Sequence, residues 1–178
     1  EVSTAFKWFH ATSVNGGAML IAAVLASYLS PYMTDTLKIP AAMASVIMFI
    51  STLWDGINDP MMGVIADRTK SRWGRYRPYI FAAPILLIIF STLLWVDWGF
   101  ESITVKAAYI LIMYIGYGMT VTMYTMPHMA ILPAAVKSNQ TRNAIITMGA
   151  GTCAIVFAIG NTFTLNIVGF FNKLGFSN

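Results

Sequence analysis

Two aspartates one helical turn apart, Asp55 and Asp59, stand in an otherwise apolar stretch with Asn58 between them. Ser51, Thr52, Asp55, Asn58, Asp59 and Met62 recur at spacings of three and four, which gathers them into one largely polar stripe on a helix. A carboxylate near mid-bilayer costs about 2.5–3.5 kcal/mol on the insertion scale, whereas a Leu or Ile returns only about 0.3–0.6. Such a stripe cannot face lipid. Unpaired carboxylates this close also repel, so a proton or a metal ion is their natural partner. Two carboxylates with a nearby amide and hydroxyl offer hard oxygen ligands, which suit sodium or lithium better than a soft transition metal. Sodium at such a site would compete directly with protons. The alternative is a structural one, in which the two acids form salt bridges with basic residues from outside this sequence, because no Lys or Arg occurs in the interior of any apolar segment.

A second line of small and polar residues, Tyr114, Gly118, Thr122 and Thr125, also falls at helical spacing. Gly118 would allow close approach of another helix, and Thr122 would supply a hydroxyl ligand. Threonines inside membrane helices more often bond their own backbone carbonyls, so this line gains weight only if it lies beside the carboxylates.

The elements that must position these residues follow from composition. The chain is 57% hydrophobic and only 10% charged over 178 residues, with a mean hydropathy of +0.67, whereas soluble domains are about 25% charged. Five apolar segments, at about 12–34, 41–66, 78–98, 104–133 and 143–171, each reach the roughly 20 residues a membrane helix needs. The expected fold class is an all-α membrane protein, with residues 1–178 forming a partial N-terminal helical domain. An odd number of spans reads as part of a larger bundle. The first apolar run is too long for a secretory signal peptide and is expected to be a retained span.

The basic residues set an expected orientation. Lys7, Arg68, Lys70, Arg72, Arg75, Arg77, Lys137 and Arg142 fall on one side, against Lys38, Lys106 and Lys173 on the other. Basic short loops stay cytoplasmic, which places the N-terminus inside. This clustering, rather than a nucleic-acid partner, accounts for the net charge of +4. Cys153 is the single cysteine, so no disulfide or cysteine metal site is expected. The sequence contains no phosphate-binding Gly-x-x-x-x-Gly-Lys-Ser/Thr loop, catalytic triad or His-rich metal motif. A non-enzymatic protein without cofactor, served by an ion gradient, is the expectation.

The run Trp54-Asp55-Gly56-Ile57-Asn58-Asp59-Pro60-Met61-Met62-Gly63, followed by Asp67-Arg68-Thr69-Lys70-Ser71-Arg72-Trp73-Gly74-Arg75-Tyr76-Arg77-Pro78, closely resembles the glycoside-pentoside-hexuronide:cation symporters of the major facilitator superfamily. Thr34-Asp35 and Gly118-Met119-Thr120 with Thr122 extend the likeness to the melibiose permease branch. The resemblance implies two six-helix halves around a central path, sodium- or proton-coupled sugar symport by alternating access, and a place in the cell membrane, that of a bacterial inner membrane. The partners it implies are the lipid bilayer, a small solute such as a sugar, and a C-terminal helical half. By position, Asp55 and Asp59 match the family's cation carboxylates, Asn58 lies between them, and Thr122 matches its threonine ligand, with H+, Na+ or Li+ as coupling ion.

The sugar side of the likeness is different. The family's first-helix polar residue falls at Met19, the melibiose permease aspartate of the fourth span at Thr125, and the fifth-span arginine at Gly149. His128 and Met129 follow Pro127 where the family places an aromatic. Candidate substrate contacts are then the polar groups left in the spans: Asn15, Tyr124, Thr125, His128 and Asn161. Asn15 beside Gly16-Gly17 equally suits a local backbone break, and His128 equally suits a hydrogen-bonded packing role. Asp67 with Arg68, Arg75 and Arg77 resembles the superfamily's cytoplasmic latch, although positive charge there also simply fixes topology. Two rival readings are a sodium-dependent carrier of an amphipathic solute such as a lysolipid, from the same superfamily branch, and a non-transporting membrane receptor or assembly subunit.

Overall fold

The computed structural model describes residues 2–173, which form helices and short connections. Position 1 and positions 174–178, counted above with the helical domain, lie outside the described residues. Helix α1 (Thr4–Ser13) begins where Ser3 accepts a hydrogen bond from the Phe6 amide at 3.2 Å, an N-cap of the usual kind. A π-helical turn, Val14–Ala18, joins it to α2 (Met19–Pro31), and a second, Tyr32–Thr36, ends the run. The first π-helical turn contains Asn15-Gly16-Gly17, so the helix is irregular at the place where a local backbone break is one of the two readings of Asn15.

Helix α3 (Ala41–Arg68) corresponds to the second expected span, α4 (Arg77–Leu93) to the third, α5 (Ile103–Ala135) to the fourth and α6 (Asn139–Lys173) to the fifth. Four helical stretches, Thr4–Thr36, Ala41–Arg68, Ile103–Ala135 and Asn139–Phe170, are long and apolar enough to cross a membrane. The third segment differs from its expected limits of 78–98. Its helix has 17 residues and stops at Leu93, giving about 26 Å at 1.5 Å per residue. Turn hydrogen bonds from the Leu94, Trp95 and Val96 amides carry the chain one turn further. Beyond them Asp97 accepts from the Gly99 amide at 2.9 Å, and Gly99 has a φ of +67°, a conformation a glycine adopts at little cost.

The described chain divides into two compact units. The first comprises residues 2–29 and 138–173, in which α1 and the first π-helical turn pack against α6. Glycines allow close contact here. A Cβ on Gly149 would lie 2.5 Å from the Asn15 side-chain nitrogen, and one on Gly160 would lie 3.0 Å from the Ala23 Cβ.

The second unit comprises residues 30–137, in which α5 packs against both α3 and α4. A Cβ on Gly116 would lie 2.4 Å from the Phe90 ring, so the missing side chain is what admits that ring between α4 and α5. The apolar core of this unit includes Met33, Ile39, Ile47, Leu87, Leu94, Ile110 and Leu132. Large apolar side chains such as Phe49, Leu53, Phe81, Ile88 and Ile112 are exposed instead. That much exposed apolar surface suits a lipid environment and not water.

Candidate functional site

In the second unit, α3 and α5 bring the two polar lines face to face. The Thr122 hydroxyl donates to Asp59 Oδ1 at 2.8 Å, joining helices through residues 63 positions apart. One turn away, the Asp55 carboxylate lies against the backbone of Gly118, where an added Cβ would meet Asp55 Oδ1 at 2.6 Å. Only a glycine leaves room for the carboxylate at that distance.

These residues open onto a cleft of about 250 Å³. From α3 it is lined by Ser51, Asp55 and Asp59; from α5 by Tyr114, Tyr117, Gly118, Val121, Thr122, Thr125 and Met126. The Tyr114 and Tyr117 rings stack along one wall, with centroids 6.1 Å apart and planes within 7° of parallel. Neither Asp55 nor Asp59 forms an ion pair with a described residue, whereas Arg75 pairs with Asp67 and Lys106 with Asp97. The site therefore offers two carboxylates and hydroxyl oxygens without a fixed positive charge. Among the described residues no group of three or more His, Cys, Asp or Glu is assembled. The donor set is one of hard oxygens, which fits an alkali cation or a proton.

Asn58 takes a different place. It is completely buried, and both its amide atoms lack a hydrogen-bond partner among the described residues, yet it does not line the cleft. It sits about 60° around α3 from Asp55, two turns beyond Ser51 and on nearly the same line.

Of the expected substrate contacts, Thr125 alone lines the cleft. Tyr124 and His128 make a tilted ring contact at 6.5 Å, and His128 is buried. Asn15 and Asn161 belong to the first unit, and their amides are engaged with backbone. Asn15 donates to the Ala11 carbonyl at 3.0 Å and Asn161 to that of Phe157 at 3.1 Å. Asn161 also receives the Ser27 hydroxyl on its side chain and the Tyr28 hydroxyl on its carbonyl. Asn161 thus links α2 to α6, whereas the bond of Asn15 stays within its own helical run.

In the basic loop, Asp67 lies 3.7 Å from Arg75 and accepts from the Tyr76 hydroxyl at 3.0 Å. Both members of this ion pair are more than half exposed. Thr69 and Tyr79 share a 2.5 Å hydroxyl contact nearby. Arg68 and Arg77, at the end of α3 and the start of α4, form no ion pair with Asp67.

Comparison with known proteins gives this geometry a family. The profile of MFS/sugar transport proteins matches residues 13–176. The chain belongs to that family. As an MFS/sugar transport protein it is all-α and supplies the N-terminal part of a major facilitator superfamily bundle. It is 30% identical over 134 residues to an uncharacterized symporter of Synechocystis sp., covering 72% of this chain and 25% of that protein. To the glucuronide carrier protein homolog of Escherichia coli it is 30% identical over 120 residues, covering 66% of this chain and 26% of the other. To the sodium-dependent lysophosphatidylcholine symporter 1 of Xenopus tropicalis it is 26% identical over 132 residues, covering 72% and 25%. The chain thus matches about a quarter of the length of each of these relatives. Tyr117, Val121 and Met126 escaped the sequence reading of the cleft, although Tyr117 stands three residues from Tyr114 and so shares its helix face.

Proposed function

We propose that this chain forms the cation-handling part of a secondary active transporter that symports a sugar or glycoside with Na+ or H+ by alternating access. The observation that carries the reading is the Thr122–Asp59 hydrogen bond beside the Asp55–Gly118 contact, in a cleft with no basic partner. A bound cation removes the repulsion between the carboxylates and ties α3 to α5. Solute then binds a helix pair that is already ordered, so its affinity rises with cation occupancy. Thr125, on the wall of the same cleft, is the substrate contact this geometry favours.

Asp67 and Arg75 serve as a cytoplasmic latch in this reading. An exposed pair is worth only about 0–1 kcal/mol, which suffices to bias two nearly balanced conformations. The protein is a multi-pass component of the cell membrane, a bacterial inner membrane, with its N-terminus in the cytoplasm and a C-terminal helical half as its partner.

A second reading keeps the coupling and changes the cargo to an amphipathic solute. Val121 and Met126 make part of the cleft apolar, and Met19, Thr125 and Gly149 replace sugar-type polar residues. Counterflow in proteoliposomes, with labelled glycosides and labelled lysolipid compared with and without sodium, separates the two. Sodium-stimulated exchange of a glycoside supports the first reading; exchange of lysolipid alone replaces it with the second. Solute binding without cation-dependent flux would overturn both in favour of a receptor.

A further inference from the structure

Hydroxyls inside these helices normally bond the carbonyl one turn back. On α3, Ser45 bonds the Ala41 carbonyl at 2.9 Å and Thr52 that of Met48 at 3.0 Å. On α5, Thr120 bonds the Tyr117 carbonyl at 2.7 Å. In the cleft, Thr122 and Ser51 are among the hydroxyls that depart from this habit. Thr122 turns to Asp59. Ser51, only 4% exposed, leaves its Oγ without any partner although it lines the same cleft.

A buried hydroxyl without a partner carries a desolvation cost that a ligand oxygen contact would recover. Ser51 stands one turn before Asp55 on the same face of α3 and lines the same cleft as the two carboxylates. The ligand such an oxygen serves must be identified from its chemistry. A hydroxyl has a free lone pair for a metal ion, and hard cations gather a shell of several oxygens. A proton needs only one carboxylate oxygen. A further oxygen such as that of Ser51 therefore suits a metal ion more than a proton.

We propose that Ser51 is a further oxygen ligand of the cation cleft and favours an alkali metal ion over a proton there. This rests on the cation-site reading of Asp55 and Asp59. It extends the site to a residue that neither the carboxylate pair nor the Thr122 bridge requires.

The test uses the purified protein carrying this chain and sodium alone as probe. Its melting temperature is followed as NaCl replaces choline chloride at constant ionic strength. Ser51→Ala and Ser51→Cys should each raise the sodium concentration for half-maximal stabilisation about five- to tenfold, while the sodium-free melting temperature stays near that of the parent. Cysteine keeps the volume but offers a soft sulfur, so it controls for packing. Ser51→Thr retains the hydroxyl and should stay near the parent value. Asp59→Asn marks loss of the underlying site. If Asp59→Asn abolishes the sodium response and both Ser51→Ala and Ser51→Cys leave it within twofold of the parent, the role of Ser51 is overturned and the cation site stands. If the parent itself shows no sodium response, both are overturned.

Discussion

Thr122 on α5 donates its hydroxyl to Asp59 on α3 at 2.8 Å, the bond that closes the candidate cation cleft on one side. Replacing Thr122 with Val keeps the shape and β-branching but removes the donor. A hydrogen bond to a charged group is worth about 1.5–3 kcal/mol. Thr122→Val should therefore raise the sodium concentration for half-maximal uptake by about tenfold or more. A sodium titration of solute uptake reads this directly, and an unchanged value would show that the bond is incidental to ion binding.

Gly118 and Gly116 provide a paired comparison on one helix. An alanine at 118 places its Cβ 2.6 Å from Asp55 Oδ1, so the carboxylate must move. At 116 it meets the Phe90 ring at 2.4 Å, so the α4–α5 packing must give instead. Gly118→Ala should weaken sodium stimulation with little loss of melting temperature. Gly116→Ala should lower the melting temperature, with overpacking costs of about 1–3 kcal/mol, and leave the sodium half-saturation near that of the parent. Identical behaviour of the two variants would remove the special role given to Asp55.

Acidity supplies an independent handle. As the proposed ligands, Asp55 and Asp59 would hold a metal ion as carboxylates, so protons would compete with it and binding would release them. Lowering the pH should raise the sodium concentration needed for half-maximal stimulation, by up to about tenfold per pH unit for each proton displaced. Sodium dependence measured from pH 8 to pH 5.5 tests this. A half-saturation value that stays flat throughout would separate sodium from these carboxylates.

Much of this arrangement was legible in residue spacing. The stripe of α3 and the line Tyr114, Gly118, Thr122 and Thr125 each follow from a 3.6-residue period, and all four members of that line reach the cleft. The pairing of the two lines was not legible from periodicity, because nothing local to either helix says which neighbour it packs against. The family likeness supplied that link. Asn58 shows the limit of reading a stripe as a site: helical spacing placed it on the face of the carboxylates, yet in the structure it is fully buried and does not line the cleft. Asn15 and Asn161 were singled out only as polar groups in apolar spans. In the structure such groups satisfy themselves on the nearest carbonyl, which a sequence does not display. The early end of α4 likewise depended on turn geometry around Asp97 and Gly99, which an apolar run through Trp95 and Val96 conceals.

The central claim is that the Asp55–Asp59 cleft couples a cation gradient to solute movement, and the most direct measurement is uphill uptake by Asp59→Asn in proteoliposomes. Labelled glycoside is offered under an imposed inward sodium or proton gradient, with counterflow at zero gradient as the control for a folded, solute-binding protein. The predicted result is loss of gradient-driven accumulation with counterflow retained, and Asp59→Cys should behave the same way. Accumulation that continues with an unchanged dependence on sodium and pH would contradict the account.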